Sequence, residues 1–191
     1  IEAYLSGEGT AQALVNILYG IANPCAKLPE SFPLKLEDNP SFLSFASENK
    51  KVNYAEGIYV GYRYYTKKKQ KVLFPFGYGL SYTQFEFSGL SLPDTVPANE
   101  ITEVRVNVKN VGKVKGRAVA ELYISDKTGN LSRPVRELKG FKSVLLEPDE
   151  EKTVSIFLDK RSFAYYNTQT AGFVAESGAY AVEIGNSCED I

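Results

Sequence analysis

The sequence predicts a mainly β protein: a β-sandwich preceded by a short α/β segment and an aromatic-rich connector. Three observations predict it. Between residues 84 and 191, apolar and polar residues alternate with a period of two in several short runs, which turns one face of each run toward a core and the other toward water. Turn signals separate these runs: Pro93-Asp94, Asn110-Val111-Gly112, Lys127-Thr128-Gly129-Asn130, Pro148-Asp149 and Ser177-Gly178. Before residue 84 the texture differs, with a Tyr- and Phe-crowded stretch over 51–83 and a proline-broken stretch over 1–50. Six or seven short strands over about a hundred residues suggest an immunoglobulin-like or fibronectin type III-like sandwich.

The elements follow in order. Ile1 to Leu5 reads as the end of a strand. Residues 10–19 read as a helix, because Leu14, Ile17 and Leu18 fall at i, i+3 and i+4, with Thr10 as N-cap and Gly20 at the C-cap. Asn23-Pro24, Leu28-Pro29 and Phe32-Pro33 then break regular structure. One strand end and one helix cannot bury a core alone, so residues 1–50 are expected to need a partner. The 51–83 stretch holds Tyr54, Tyr59, Tyr62, Tyr64, Tyr65, Phe74, Phe76, Tyr78 and Tyr82, interleaved with glycines and without helical or strand periodicity. It reads as an extended linker whose rings pack against neighbouring domains, with a ligand-stacking surface as the rival reading. Lys67, Lys68, Lys69 and Lys71 read as a solvated turn tip.

In the last zone Phe85-Glu86-Phe87 opens the strands. Val104, Val106 and Val108 alternate with polar residues, and Ala118, Ala120, Leu122 and Ile124 oppose Val119, Glu121, Tyr123 and Ser125. Leu138 to Leu146, Val154-Ser155-Ile156-Phe157-Leu158 and Tyr180 to Ile184 complete the set.

Composition narrows the chemistry. The 191 residues include 22 Lys+Arg against 23 Asp+Glu and no His, Met or Trp. Without His there is no imidazole base and no His metal ligand. The balanced charge argues against nucleic-acid binding, and no apolar run reaches the ~20 residues that span a bilayer. A chain that opens Ile1-Glu2-Ala3 and contains no Met is expected to be a piece of a longer or processed protein.

No pair of acids or hydroxyls assembles an active site. Glu8, in a Gly-rich turn, reads as a complement to the following helix N-terminus rather than a catalytic acid. Glu56 has no visible partner, and Asp149-Glu150-Glu151 reads as a solvated turn. Gly7-Glu8-Gly9 and Gly77-Tyr78-Gly79 lack the third glycine of a dinucleotide site. Asn130-Leu131-Ser132 fits a glycosylation sequon. Cys25 and Cys188 are expected to be free, buried thiols.

Three stretches resemble the C-terminal part of glycoside hydrolase family 3, the β-glucosidase and β-xylosidase family. The first runs from Tyr4-Leu5-Ser6-Gly7-Glu8-Gly9 through Asn23-Pro24-Cys25-Ala26-Lys27-Leu28-Pro29 to Phe32-Pro33. The second, and most specific, is Glu56-Gly57-Ile58-Tyr59-Val60-Gly61-Tyr62-Arg63-Tyr64-Tyr65 with Phe74-Pro75-Phe76-Gly77-Tyr78-Gly79-Leu80-Ser81-Tyr82-Thr83. The third is Arg133-Pro134-Val135-Arg136-Glu137-Leu138-Lys139-Gly140-Phe141 with Gly185-Asn186-Ser187. Cys25-Ala26 stands where the family commonly has Ser-Gly, and Tyr78 where many members have His.

The resemblance implies an end of the family's α/β sandwich domain over 1–50, a linker over 51–83 and a fibronectin type III-like domain over 84–191. It implies a retaining β-glycosidase as parent, acting on terminal β-linked sugars through two carboxylates that lie outside these residues. This part is then structural, with no catalytic, substrate-binding or metal residue and no cofactor. Tyr59, Tyr62, Arg63, Tyr64, Tyr65, Phe74, Phe76 and Tyr78 are implied to pack between domains. The implied partners are the barrel and α/β sandwich domains, in cis or in trans, with a carbohydrate substrate for the parent and neither nucleic acid nor membrane. The alternative is an independent carbohydrate-binding or adhesion-type module.

Overall fold

The alternating runs of the C-terminal zone become six paired strands in a computed structural model, which describes residues 1–45, 49–97, 99–129 and 131–191. In chain order the elements are α1 (Thr10–Leu18), β1 (Phe32–Pro33), a 3-10 turn (Leu36–Asp38), α2 (Tyr62–Lys68), β2 (Val72–Phe74), β3 (Phe85–Ser91), β4 (Thr102–Asn110) and β5 (Gly116–Asp126). Then follow β6 (Glu137–Leu146), β7 (Glu151–Leu158), α3 (Lys160–Phe163), β8 (Tyr165–Asn167), β9 (Gly172–Val174) and β10 (Tyr180–Gly185). One antiparallel sheet has the order β3-β4-β7 and the other β10-β5-β6. Asn130 of the sequon lies outside the described residues.

The sandwich core is what the alternation demands. Val104, Val106 and Val108 of β4 pair in register with Ile156, Val154 and Lys152 of β7, and their side chains meet Ala118, Ala120, Leu122 and Ile124 of β5 and Leu146 of β6. The two sheets close tightly at Gly140, where a Cβ would stand 2.5 Å from Ile156 Cγ2. The turn after β4 is held by Asn110, fully buried. Its side chain accepts from Thr83 Oγ1 at 2.6 Å and Gly112 N at 3.1 Å, and donates to Val114 O at 2.9 Å. The acidic turn Asp149-Glu150-Glu151 joins β6 to β7 at the surface, with Asp149 left-handed at φ 61°.

The N-terminal zone departs from expectation in four ways. Ile1 to Leu5 is exposed and unpaired rather than a strand, since a strand exists only through a neighbour's ladder and none of the described strands lies beside it. The N-cap of α1 is Gly9, not Thr10, which is already helical and turns its hydroxyl back to Gly7 O. Gly20, at φ 70°, does end the helix, its N–H donating to Ile17 O. The connector is not wholly extended: α2 forms because Gly61, at φ 58°, turns the chain into it and Lys69, left-handed, turns it out. Cys25 is exposed, and only Cys188 is buried; both are free thiols. A short ladder pairs β1 with β2, Phe32 opposite Phe74, and so crosses from residues 1–50 to the connector.

One measurement separates core from rim. Leu122→Ala, at a position with no exposure, is expected to lower the unfolding free energy by about 2–5 kcal/mol in chemical denaturation. Val111→Ala, at 38% exposure in the turn after β4, is expected to stay within about 0.5 kcal/mol.

Candidate functional site

The outer face of β5 is where the three zones meet. Alternation leads one to expect Glu121, Tyr123 and Ser125 to face water, yet all three are buried, at 4%, 0% and 1% exposure. The connector covers Glu121 and Tyr123, while Ser125 donates to Glu183 of β10 at 3.1 Å. Tyr62, the first residue of α2, lies edge-on to Tyr123 with centroids 6.1 Å apart, and Phe76 stacks on Tyr62 at 4.7 Å. The Tyr62 hydroxyl accepts from Leu138 N at 2.8 Å, so an aromatic plug carries its own tie to a sandwich strand. Nearby, Arg63 pairs with Glu137 at 3.2 Å, and the Tyr59 hydroxyl lies 2.7 Å from Ser132 Oγ.

Gly77 completes the cover. At φ 81° its backbone presses on Glu121, and a Cβ there would stand 2.3 Å from Glu121 Oε2. Beneath it the Tyr123 hydroxyl donates to the Glu121 carboxylate. Burial pushes the Glu121 carboxyl above its ordinary range, while the Tyr123 hydrogen bond and the Lys27 charge pull the other way. Burial likewise raises Tyr123 and pushes the Cys188 thiol up to about 12. It lowers Lys27, against the attraction of Glu121 and Asp190.

Polar ties fasten the layers. Leu28 N donates to Tyr78 O and Gly77 N to Leu28 O, both at 2.8 Å. Cys188 N donates to Phe76 O at 3.1 Å, and Arg136 Nη1 donates to Cys188 O at 2.6 Å. Lys27 Nζ donates to Asn186 O at 2.8 Å, joining residues 159 apart in sequence. Asn23 accepts from Ser81 Oγ and Tyr82 N, and donates to Lys115 O in the turn before β5. Arg133 is nearly enclosed, paired with Asp126 at 3.0 Å and Glu137 at 2.8 Å, and donates to Phe163 O at 3.1 Å.

The eight residues singled out in the sequence fall into two groups. Tyr59, Tyr62, Arg63 and Phe76 meet the sandwich. Tyr64, Tyr65, Phe74 and Tyr78 pack among themselves and residues 1–50: Tyr65, buried, is edge-on to Tyr64 at 5.5 Å, and Phe74 contacts Phe32 at 6.1 Å and Tyr78 at 5.0 Å. Lys67, Lys68 and Lys69 are exposed at the end of α2, as the turn-tip reading expects. Sequence reasoning missed Glu121, Lys27, Asn23 and the arginine pair as a joint site. The available signal was Tyr123 and Val119 on a face that should have been polar throughout.

The junction binds parts of the chain to one another and presents no reacting group to a substrate. Glu121 is sealed under Gly77, and Glu8 is exposed. Among the described residues no cluster of three His, Cys, Asp or Glu could hold a metal ion, and no helix is long and apolar enough to cross a membrane.

Comparison with known proteins matches residues 1–82 to the glycosyl hydrolase family 3 C-terminal domain and residues 118–188 to the fibronectin type III-like domain. The chain is 51% identical, over its whole length, to thermostable β-glucosidase B of Acetivibrio thermocellus, of which it spans 25%. It is 45% identical, again over its whole length, to a Kluyveromyces marxianus β-glucosidase, of which it spans 22%. The fold superposes on the crystal structure of a family 3 β-glucosidase from Bifidobacterium adolescentis with a TM-score of 0.93 at 35% identity, covering 99% of this chain and 28% of that one. The chain therefore spans about a quarter of the length of the relatives it matches.

The buried carboxylate gives a signed pH dependence. A carboxyl raised above its ordinary 4.5 in the folded state holds its proton where the unfolded chain has lost it. Its contribution to stability is therefore full at low pH and declines as pH rises from about 4.5 through the folded value. Denaturant unfolding across that range is expected to show this decline in the parent chain and its loss in Glu121→Gln. Gly77→Ala should destabilise on both backbone and steric grounds, by about 1–3 kcal/mol. The part due to the carboxylate clash should be recovered in the double variant with Glu121→Ala.

Proposed function

The chain belongs to glycoside hydrolase family 3, as its C-terminal domain and fibronectin type III-like domain, and we propose that it is the structural, non-catalytic part of a retaining β-glucosidase acting on terminal β-linked sugars. The observation that carries this is the division of labour in the connector. Its rings close the outer face of β5, while the segments before it leave a broad apolar surface open. No residue of α1 is buried, and Leu18, Tyr19, Leu43 and Phe45 are exposed at 66%, 80%, 96% and 80%. Apolar surface on that scale marks an interface. In the full-length relatives the matching region is one part of a larger enzyme, so the remaining domains of the same polypeptide are the partners that fit.

On this reading Tyr59, Tyr62, Arg63 and Phe76 hold the sandwich, and Tyr64, Tyr65, Phe74 and Tyr78 hold the side of the connector that faces the rest of the enzyme. Sugar cleavage with retention requires two carboxylates ~5 Å apart flanking the bond, and the buried carboxylate of the junction, Glu121, is sealed under Gly77.

The 191-residue chain is expected to release no chromophore from an aryl β-glucoside. In the enzyme carrying this region, Tyr62→Ala should lower stability by about 3 kcal/mol and shorten the thermal half-life of activity, with KM unchanged. Turnover by the isolated chain that is lost in Glu56→Gln, or a Tyr62→Ala enzyme as stable as its parent, would overturn the proposal.

A further inference from the structure

A second site lies where β6 meets α3 and the β8–β9 hairpin, and it shares Arg63, Arg133 and Glu137 with the edge of the junction. The groove there, of about 480 Å³, falls within the ~300–1,000 Å³ of ligand pockets. Four cations line it, Arg63, Arg133, Lys139 and Arg161, against the two carboxylates Glu137 and Asp159. Both carboxylates are already engaged. Asp159 caps α3, accepting from Ser162 N at 2.9 Å and Ser162 Oγ at 3.0 Å. Glu137 is shared by Arg133 at 2.8 Å, Arg63 at 3.2 Å and Lys139 at 3.7 Å.

The Lys139 distance is too long for a hydrogen bond. Its ammonium is held by Glu137 alone, across that longer ion pair and in competition with Arg63 and Arg133, although its side chain is only 15% exposed. The placement is built into the strand. The register passes from Leu122 opposite Gly140 to Tyr123 opposite Leu138, so Lys139 is the extra residue of a β-bulge and has no opposite number on β5. Burial lowers the Lys139 ammonium. Glu137 opposes that lowering, while Arg133 and Arg63 add to it. An enclosed cation crowded by two others is a cost that an incoming anion relieves.

The groove also has an aromatic wall. Tyr166 and Phe173 face each other across the hairpin with centroids 5.2 Å apart and are 53% and 46% exposed. Arg161 lies over the Phe173 ring at 3.4 Å, leaving the Tyr166 ring as the open stacking surface. We propose that this groove binds a small carboxylate carried on a ring, of the uronic acid class, with the carboxylate on Lys139 and Arg63 and the ring against Tyr166. The cations set the charge of the ligand and the open tyrosine sets its flatness.

Calorimetric titration of the full chain with sodium glucuronate, glucose and sodium acetate tests this. Glucuronate is expected to bind about tenfold or more tightly than either control, and to weaken in about 0.5 M NaCl, where exposed charges are screened. Lys139→Gln and Tyr166→Ala should each weaken binding severalfold, with melting temperatures kept, since one removes a crowded charge and the other an exposed ring. Arg161→Gln, at an exposed residue, provides a third variant with little folding risk. Acetate binding as tightly as glucuronate, or indifference to Tyr166→Ala, would remove the ring from the proposal and overturn it. No binding of glucuronate, or glucuronate binding untouched by Lys139→Gln, would overturn it equally.

Discussion

The structure depends on one strand having both faces buried. β5 lends Ala118, Ala120, Leu122 and Ile124 to the sandwich core and Glu121 and Tyr123 to the contact with the connector. A strand in an antiparallel sheet with one wet face needs only alternation; a strand covered on both sides must also satisfy whatever polar groups point outward. Here one of those groups is a carboxylate, which is costly to bury unless it is protonated, paired or hydrogen-bonded. Tyr123 supplies the hydrogen bond and Lys27 the nearest charge. The lid must also approach within contact of the carboxylate, which only a residue without Cβ achieves at Gly77. The chain thus sets side-chain chemistry on β5 and backbone freedom in the connector against each other.

The polar ties around this contact fix orientation more than they add stability. Enclosed ion pairs such as Arg133 with Asp126 and Glu137 recover in attraction roughly what they lose in hydration. Their geometry, however, admits one arrangement: Arg133 reaches α3, Arg136 reaches the last residues of the chain, and Lys27 reaches Asn186. Each joins segments far apart in sequence, and the Lys27 tie fastens residues 1–50 directly to the end of the sandwich.

Much of this was legible in the sequence, and the limits have physical causes. Val104, Val106, Val108, Val154, Ile156 and Leu158 declare their strands because a single buried face imposes a period of two. The outer face of β5 does not declare itself, because Glu121 is polar and its burial is decided by the connector, far earlier in the chain. α2 reads in the sequence as extended chain, since Tyr62, Tyr64 and Tyr65 make no apolar stripe separable from their neighbours; its bounds come from Gly61 and Lys69, whose positive φ angles spacing does not show. The β8–β9 hairpin escaped because three-residue strands are too short for periodicity. The resemblance to family 3 located the arginine motif at 133–141 correctly but not its task, which rests on the enclosure of Arg133 and the bulge at Lys139.

The open apolar surface before the connector and the sealed junction after it have one mechanical consequence. A linker that touched only one neighbour would leave the sandwich free to swing. This connector is committed on both sides: Tyr62 and Phe76 are fixed on β5, while Tyr65 is buried beside Tyr64 and Phe74 is held against Phe32. Between them run seven residues of α2 and the short β1–β2 ladder, neither of which bends without losing backbone hydrogen bonds. On the proposed reading, a body that covers Leu18, Tyr19 and Phe45 is tied to the sandwich through this connector. On the same reading, that fastening is what residues 51–83 contribute.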